Sequence, residues 1–265
     1  MATTAILSAL EDEQRGLIDQ LSGARQVRRA GRDFWIGHWR GRLVVLALSR
    51  IGKVAAATTA TTLIEAFGAT RIVFTGVAGA IGPDVRVGDV VVASHFVQHD
   101  MDASPLFPRF EIPLYRQSQF ACDATLTTSL LEACRKALQE HHAGGAGASV
   151  PTSPRVHLGL IASGDRFIST AQSALEVQQS LRNGAMEPLA VEMEGAAVAQ
   201  VCLDYAIAFA AVRAISDRAD DLAHVDFQHF VTHVASDYAV RILAYFMQAL
   251  PTGDAPVADR WAPPI

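Results

Sequence analysis

The sequence predicts an α/β domain with a central mixed, twisted sheet flanked by helices, and three observations carry that expectation. Ile207 to Ile215 is too continuously apolar for a strand with a solvent face, and it follows Ala196 to Tyr205, a run of good helix formers. A strand buried on both faces belongs to a parallel sheet covered by helices, and such sheets place ligands at their carboxyl ends. Arg25 to Ser49 instead alternates polar and apolar residues around Gly31-Arg32-Asp33 and Trp39-Arg40-Gly41-Arg42, which reads as an antiparallel meander. Finally, 265 residues at 50% hydrophobic content can bury one large core, expected over residues 1–250 with a proline-rich tail at 251–265.

Thr3 to Ala9 reads as a short buried strand that delivers Glu11, Asp12 and Glu13 to a helix running to about Leu21. The helix dipole alone favours acids in a first turn. A functional alternative has one carboxylate pointing back into a cleft. Gly52 opens a small-residue helix to Phe67, and Gly68 ends it. Arg71 to Phe74 begins a buried strand that runs into Thr75-Gly76-Val77-Ala78-Gly79-Ala80-Ile81-Gly82-Pro83. The glycine spacing is not that of a dinucleotide fold, and Pro83 stands where such a fold needs a helix. These glycines either turn the chain or let a ligand approach the backbone.

Val87 to Ala93 is a further strand leading to His95, His99, Asp100 and Asp102, a set that no other His or Cys completes into a metal site. The proline-containing loop that follows carries Phe107, Phe110 and Tyr115, placed either to close over a ligand or to pin a connection. Asp123 to Glu140 and Thr170 to Leu181 read as helices, with Arg155 to Ser163 a strand between them. His141 to Pro154 reads as a flexible connection, and Asp226 as the cap of a long amphipathic helix through Leu250.

Charge and cysteine usage narrow the function. Lys plus Arg number 22 against 27 Asp plus Glu and are scattered, so no field favours nucleic acid or an anionic membrane. Cys122, Cys134 and Cys202 have neither disulfide-framework nor zinc spacing, the first residues lack a leader pattern, and no run approaches bilayer length. A cytoplasmic protein is expected.

Two polar clusters stand out, Glu192-Met193-Glu194 before the helix and Arg213 with Ser216-Asp217 along and after the buried strand. With Ala9-Leu10-Glu11-Asp12-Glu13, Ile51-Gly52-Lys53, Thr75 to Gly79, Val87-Gly88-Asp89 and Ser163 to Ile168, they occur in a distinctive order and spacing. In that order and spacing the chain resembles the purine nucleoside phosphorylase/nucleosidase superfamily from Thr3 to about Leu250, and within it the nucleosidases acting on 5′-methylthioadenosine and S-adenosylhomocysteine.

The resemblance implies a three-layer fold and hydrolysis of the N-glycosidic bond of an adenine nucleoside. Cleavage develops positive charge on the ribose and negative charge on the base, so it calls for an acid at the base and carboxylates at the sugar. By resemblance, Asp217 protonates adenine N7 with Ser216 holding its carboxyl group, Glu13 activates water, and Arg213 lies near that water and the ribose. Glu194 takes the ribose hydroxyls, with Glu192 and Met193 on the ribose side. Phe167 stacks on adenine, the Ile168 backbone reads its edge, and Ala78 and Gly79 form the floor. Ile51 and Phe227 belong to the substrate-binding set, Phe227 at the 5′-substituent.

Three acids at residues 11–13 would repel phosphate, which favours hydrolysis over phosphorolysis. Family phosphorylases place a cationic segment there. The resemblance further implies a homodimer, with Phe107 or a neighbour reaching across, and no metal or cofactor. Val77 and Arg50 depart from the family pattern, as does the loop from Met101 to Gln119. Alternatives are a phosphorylase, a hydrolase of AMP or futalosine, and a non-catalytic nucleoside-binding protein.

Overall fold

The computed structural model describes residues 2–14, 16–143, 154–220 and 223–250. The tail at 251–265 and most of the connection before Pro154 lie outside the described residues.

A ten-stranded mixed sheet forms the centre of the molecule. Its first strand, β1 (Thr3–Ser8), is buried along its whole length, with Ala5, Ile6 and Leu7 apolar between the buried hydroxyls of Thr3, Thr4 and Ser8. The acidic helix α1 that follows is shorter than the sequence suggests. It covers Glu11–Gln14 only, because Gly16 at φ 82° turns the chain and Ile18–Gln20 forms a separate 3-10 turn. The meander is present as β2 (Ser22–Arg29), β3 (Arg32–Trp39) and β4 (Arg42–Leu48). Both two-residue turns, Ala30-Gly31 and Arg40-Gly41, have positive φ at both positions, so their twist matches that of the strands they join.

Helix α2 (Lys53–Phe67) ends on Gly68 at φ 62°, whose N–H reaches back to Ile64 O and Leu63 O. Strand β5 (Ala69–Ala80) is longer than expected and runs straight through Gly76 and Gly79, so these glycines form strand rather than a loop. β6 (Val90–Gln98) begins only after a turn at Gly88 and Asp89. Buried Asp89 accepts from Arg86 N, Arg155 N and His157 Nε2, so this part of the sequence pattern is structural.

After the short β7 (Gln119–Ala121), α3 (Ala124–Ala143) is capped by Asp123, whose Oδ1 accepts from Leu126 N at 2.8 Å. β8 (Val156–Ser163) leads to α4 (Ala171–Asn183), capped by Thr170. β9 (Pro188–Glu192) has no counterpart in the sequence reading. It is only five residues long and opens on proline, so neither length nor periodicity marks it. α5 (Gly195–Asp204) and β10 (Ala208–Asp217) match the predicted helix and buried strand. The final helix starts at Ala223, so Asp226 lies inside α6 (Ala223–Phe230) rather than before it. A π turn over Val231–Ala235 separates α6 from α7 (Ser236–Ala249).

Within the sheet β1 runs parallel to both β4 and β5, and β10 runs parallel to β5 on the other side. From β10 the order continues through antiparallel β6 to parallel β8 and β9. β9 then returns antiparallel onto the end of β5 at Gly79–Val191 and Ala80–Ala190, closing five strands into a ring. That closure gathers the carboxyl ends of β1, β5, β8, β9 and β10 around one place.

Period-two alternation divides the core into layers. Ile6, Val44, Leu46, Val73, Val92 and Val212 pack under α3 and α7, whereas Ala5, Leu7, Val45, Phe74, Val91 and Ala211 face α2 and α5. A smaller cluster beneath α4 holds Val97, Leu160, Ala162 and Ile168.

Among the described glycines Gly195 has the least room, since a Cβ there would lie 2.1 Å from Cε1 of fully buried Phe96. Gly195→Ala is therefore expected to destabilise the fold by ~1–3 kcal/mol through overpacking. Urea denaturation would show a lower midpoint, and an unchanged midpoint would mean that Phe96 can move away at no cost.

Candidate active site

A cavity of about 390 Å³ lies where the five strand ends converge. Its walls come from Ala9, Leu10 and Glu13 after β1, Val77 to Gly79 of β5, Arg166 to Ile168 after β8, and Val191 to Glu194 at the end of β9. Ser216 and Asp217 end β10, while Ile51, His224 and Phe227 complete the lining. Every site residue expected from the sequence except Arg213 therefore reaches one cavity.

Three buried carboxylates face it, each held differently. Glu13 is 2% exposed. Its Oε2 accepts from Ala9 N at 2.7 Å and Leu10 N at 2.9 Å, and its Oε1 accepts from Val77 N at 3.0 Å. The functional alternative for the acidic turn thus holds: α1 folds one of its three acids back across the end of β1. Burial raises the Glu13 pKa, and the Leu10 amide, the Arg213 charge and the Val77 and Ala9 amides oppose it.

Asp217 is also 2% exposed. Its Oδ1 accepts from Ala219 N at 2.8 Å and its Oδ2 from Ser216 Oγ at 2.8 Å, so both oxygens are oriented by neighbours in sequence. Ser216 Oγ also lies 3.3 Å from Ala78 O.

Glu194 precedes α5 and reaches across to α2, where its Oε1 accepts from Gly52 N at 2.8 Å. Burial lifts its pKa above the ordinary 4.5, reinforced by the neighbouring Glu192 charge, while the Gly52 amide and Arg213 pull the other way.

The glycines of β5 are explained by these acids. A Cβ on Gly76 would lie 3.0 Å from Glu13 Oε1, and one on Gly79 would lie 2.8 Å from Asp217 Oδ1. Only a residue without a side chain leaves room for a carboxylate against the strand.

Arg213 and Glu192 are held to one another within the protein. Arg213 is 1% exposed and does not line the cavity. Its Nη2 donates to Glu192 Oε2 at 2.7 Å, its Nη1 donates to Phe74 O and Val212 O, and its guanidinium lies 4.1 Å from the Phe74 ring centroid. Glu192 borders the cavity, but its oxygens are taken inside the protein. Ser163 Oγ donates to one of them, and Gly195 N to both, at 3.0 and 2.9 Å. Arg213 is thus committed to Glu192 and to the sheet, and Glu192 anchors the start of α5.

Ser163, Leu10, Arg166 and His224 are site residues to which the sequence assigned no role. Ser163, Leu10 and Arg166 belong to the motifs that carried the resemblance, but nothing in the pattern around His224 marks it. At the entrance, Phe167 and Phe227 meet edge to face, with centroids 5.6 Å apart. Asp165 Oδ1 accepts from Lys53 N and Asp100 Oδ2 from Asp165 N, which ties the start of α2 to the loops after β6 and β8. His99 packs beneath Gly164. Among the described residues no group of three His, Cys, Asp or Glu is arranged to hold a metal ion.

Residues 3–247 match the family model described as the phosphorylase superfamily. The 5′-methylthioadenosine/S-adenosylhomocysteine nucleosidase of Shewanella denitrificans is 33% identical over 239 residues, 90% of this chain and 96% of that protein. The enzyme of the same name from Bacillus thuringiensis is 33% identical over 242 residues, covering 90% and 97%. Among solved structures, the nucleosidase from Neisseria meningitidis in complex with methylthio-immucillin-A aligns with a TM-score of 0.82 at 32% identity, over 94% of this chain and all (100%) of that one. The futalosine hydrolase of Helicobacter pylori aligns at 0.78 and 28% identity, over 93% and 98%. Matched by the family model over residues 3–247 and by nucleosidases over nine-tenths of its length, this chain belongs to the phosphorylase superfamily, on its nucleosidase branch.

Proposed function

We propose that this protein hydrolyses the N-glycosidic bond of a 5′-thio-substituted adenine nucleoside, releasing adenine and a 5-substituted ribose. The observation that carries the proposal is the placement of Glu13, Glu194 and Asp217 around one buried cavity. Cleavage leaves electron density on the base and a cationic sugar, and the carboxylates answer both demands. Asp217, oriented by Ser216 Oγ and Ala219 N, donates its proton to N7, so adenine leaves as a neutral molecule. Phe167 stacks on the base, the Ile168 backbone reads its edge, and Ala78 and Gly79 form the floor.

Glu194 accepts the ribose hydroxyls through the oxygen not bound to Gly52, with Met193 beside it. Glu13 takes a proton from water as it attacks the anomeric carbon. Its raised pKa suits a base working near neutrality. Arg213 acts at one remove, holding Glu192 and hence the start of α5 on which Glu194 stands. Leu10, Ile51 and Phe227 remain for the 5′ side. Water rather than phosphate is the nucleophile, because among the described residues the cavity is lined by Glu13, Glu192, Glu194 and Asp217 against a single arginine, Arg166, too little positive charge to hold a dianion.

The protein acts as a homodimer in this reading. Phe110 and Tyr115 tie the Met101–Gln119 loop down, Phe110 by burial and Tyr115 by donating its hydroxyl to Asp204. Leu106, Leu114 and Val54 nevertheless stay 84%, 87% and 79% exposed. Apolar surface on this scale suits a partner whose Phe107 approaches the 5′ end. Sedimentation at working concentration should give the dimer mass, and a monomer alone would defeat this part.

The decisive assay is adenine release from methylthioadenosine, S-adenosylhomocysteine, AMP and futalosine, each with and without phosphate. Release from the two thionucleosides independent of phosphate is expected, and an absolute phosphate requirement would make the enzyme a phosphorylase. Asp217→Asn should lower kcat by at least ~100-fold by removing the acid. Turnover unchanged in that variant would remove Asp217 from its role.

Glu194 also links activity to stability. Its folded pKa is raised, so its favourable contribution is complete below the unfolded carboxylate value and is lost as pH rises through the folded one. Glu194→Gln should therefore raise stability above pH 6 by at least ~1 kcal/mol while slowing turnover. The gain in Tm over wild type should grow from pH 5 to pH 8, and a gain that shrinks over that range would contradict the burial argument.

A further inference from the structure

Arg50 sits at φ 66°, in the left-handed region, one residue before Ile51 of the cavity wall. A non-glycine residue there costs on the order of 1 kcal/mol, and the long cationic side chain returns only one hydrogen bond to the fold. The strain points to a use for the guanidinium. Arg50 Nη2 donates to Gly31 O at 2.7 Å, while Arg32 Nη1 donates to Ala30 O at 3.1 Å and its Nη2 to Ala55 O at 3.3 Å. Arg50 is thus held against the β2–β3 turn, and Arg32 between that turn and α2, by neutral carbonyls. Among the described residues neither is paired with a carboxylate, and Arg32 Nε is buried without a partner. Burial and then the Arg50 charge both act to lower the Arg32 pKa, so the two cations feel one another across the turn.

These arginines line a groove of about 980 Å³ that shares Ala9, Leu10 and Ile51 with the catalytic cavity. With the base at Asp217 and the ribose at Glu194, the 5′ carbon faces the Leu10–Ile51 wall, and a long 5′-substituent leaves by this groove. Glu11, Asp12, Asp19 and Asp33 also line it. A dianion such as phosphate would meet net repulsion there, whereas a group carrying one carboxylate and one ammonium would find partners of both signs.

We propose that Arg50 and Arg32 form an anion subsite for the far end of the 5′-substituent, selecting adenine nucleosides whose 5′-thioether ends in a zwitterionic amino acid. The inference rests on the hydrolase reading and adds a specificity determinant to it. Arg50 contributes a planar donor fork to the carboxylate. The subsite acts on binding, so its effect falls on KM more than on kcat.

The test compares kcat/KM for S-adenosylhomocysteine, its decarboxylated analogue, methylthioadenosine and AMP in wild type and in Arg50→Gly. Glycine accepts this backbone conformation without strain, so the variant should fold with an unchanged or higher Tm. The preference for S-adenosylhomocysteine over the decarboxylated analogue should fall about tenfold, through KM, and the wild-type preference should weaken with added salt. Arg50→Lys should retain part of it. The same preference in wild type and Arg50→Gly would overturn the subsite while leaving the hydrolase reading intact. A larger loss for AMP than for S-adenosylhomocysteine would also overturn it, showing a phosphate site instead. No adenine release from any nucleoside by wild type would overturn the hydrolase reading itself.

Discussion

The geometry of the site depends on a single buried ion pair, Arg213 to Glu192 at 2.7 Å, with side chains 1% and 3% exposed. Taking two charges out of water costs several kcal/mol per ion, and attraction compensates only where the remaining donors and acceptors are also satisfied. Here they are: Phe74 O and Val212 O receive Nη1, the Phe74 ring underlies the guanidinium, and Ser163 Oγ and Gly195 N donate to the carboxylate. The pair joins β10 to β9 through the strand between them, and those three strands carry the ends where Asp217, Glu194 and Gly79 stand. Removing either partner would leave a buried charge exposed to the same desolvation with nothing opposite it.

This anchor also makes Glu194 possible. Glu192 spends its oxygens on the first amide of α5, so the next acid is free to turn outward to the cavity and to Gly52 of the α2 start. Two glutamates two residues apart thus have opposite uses, one saturated within the protein and one facing a ligand. The repulsion between them helps keep Glu194 raised above the ordinary carboxylate range. The site stores free energy in that way: carboxylates whose charged forms are costly when the cavity is empty gain most from a cation developing beside them.

How much of this was legible depended on the range of each signal. The strand Ala208–Asp217, the helix before it and the two hairpin turns follow from local periodicity and turn chemistry, and they were read within a residue or two. The site residues were legible for a different reason, because short motifs recur at strand ends and a resemblance could be carried across residue by residue. What failed was direction. VEMEG and VRAISD name residues that the fold brings together, but no spacing says that Arg213 pairs with Glu192 or that Glu192 is taken up by the start of α5. β9 was missed because five residues opening on proline carry no period, and α1 was overextended because Gly16 breaks it where the acidic run suggests continuity. These features are set by ring closure and by long-range pairing, which local sequence does not encode.

The glycines of β5 show how strand and chemistry constrain one another. In a strand interior glycine is costly, since it loses entropy on ordering and packs no side chain. Gly76 and Gly79 are tolerated because Glu13 and Asp217 occupy the space their side chains would take. The carboxylates therefore substitute for core side chains, and the strand stays continuous while carrying an acid against each of the two glycines. A phosphate approaching the same wall would meet the Glu13 carboxylate at once. The discrimination against phosphate is thus already present in the backbone: a strand thinned by two glycines leaves room for carboxylates, and a carboxylate repels a dianion.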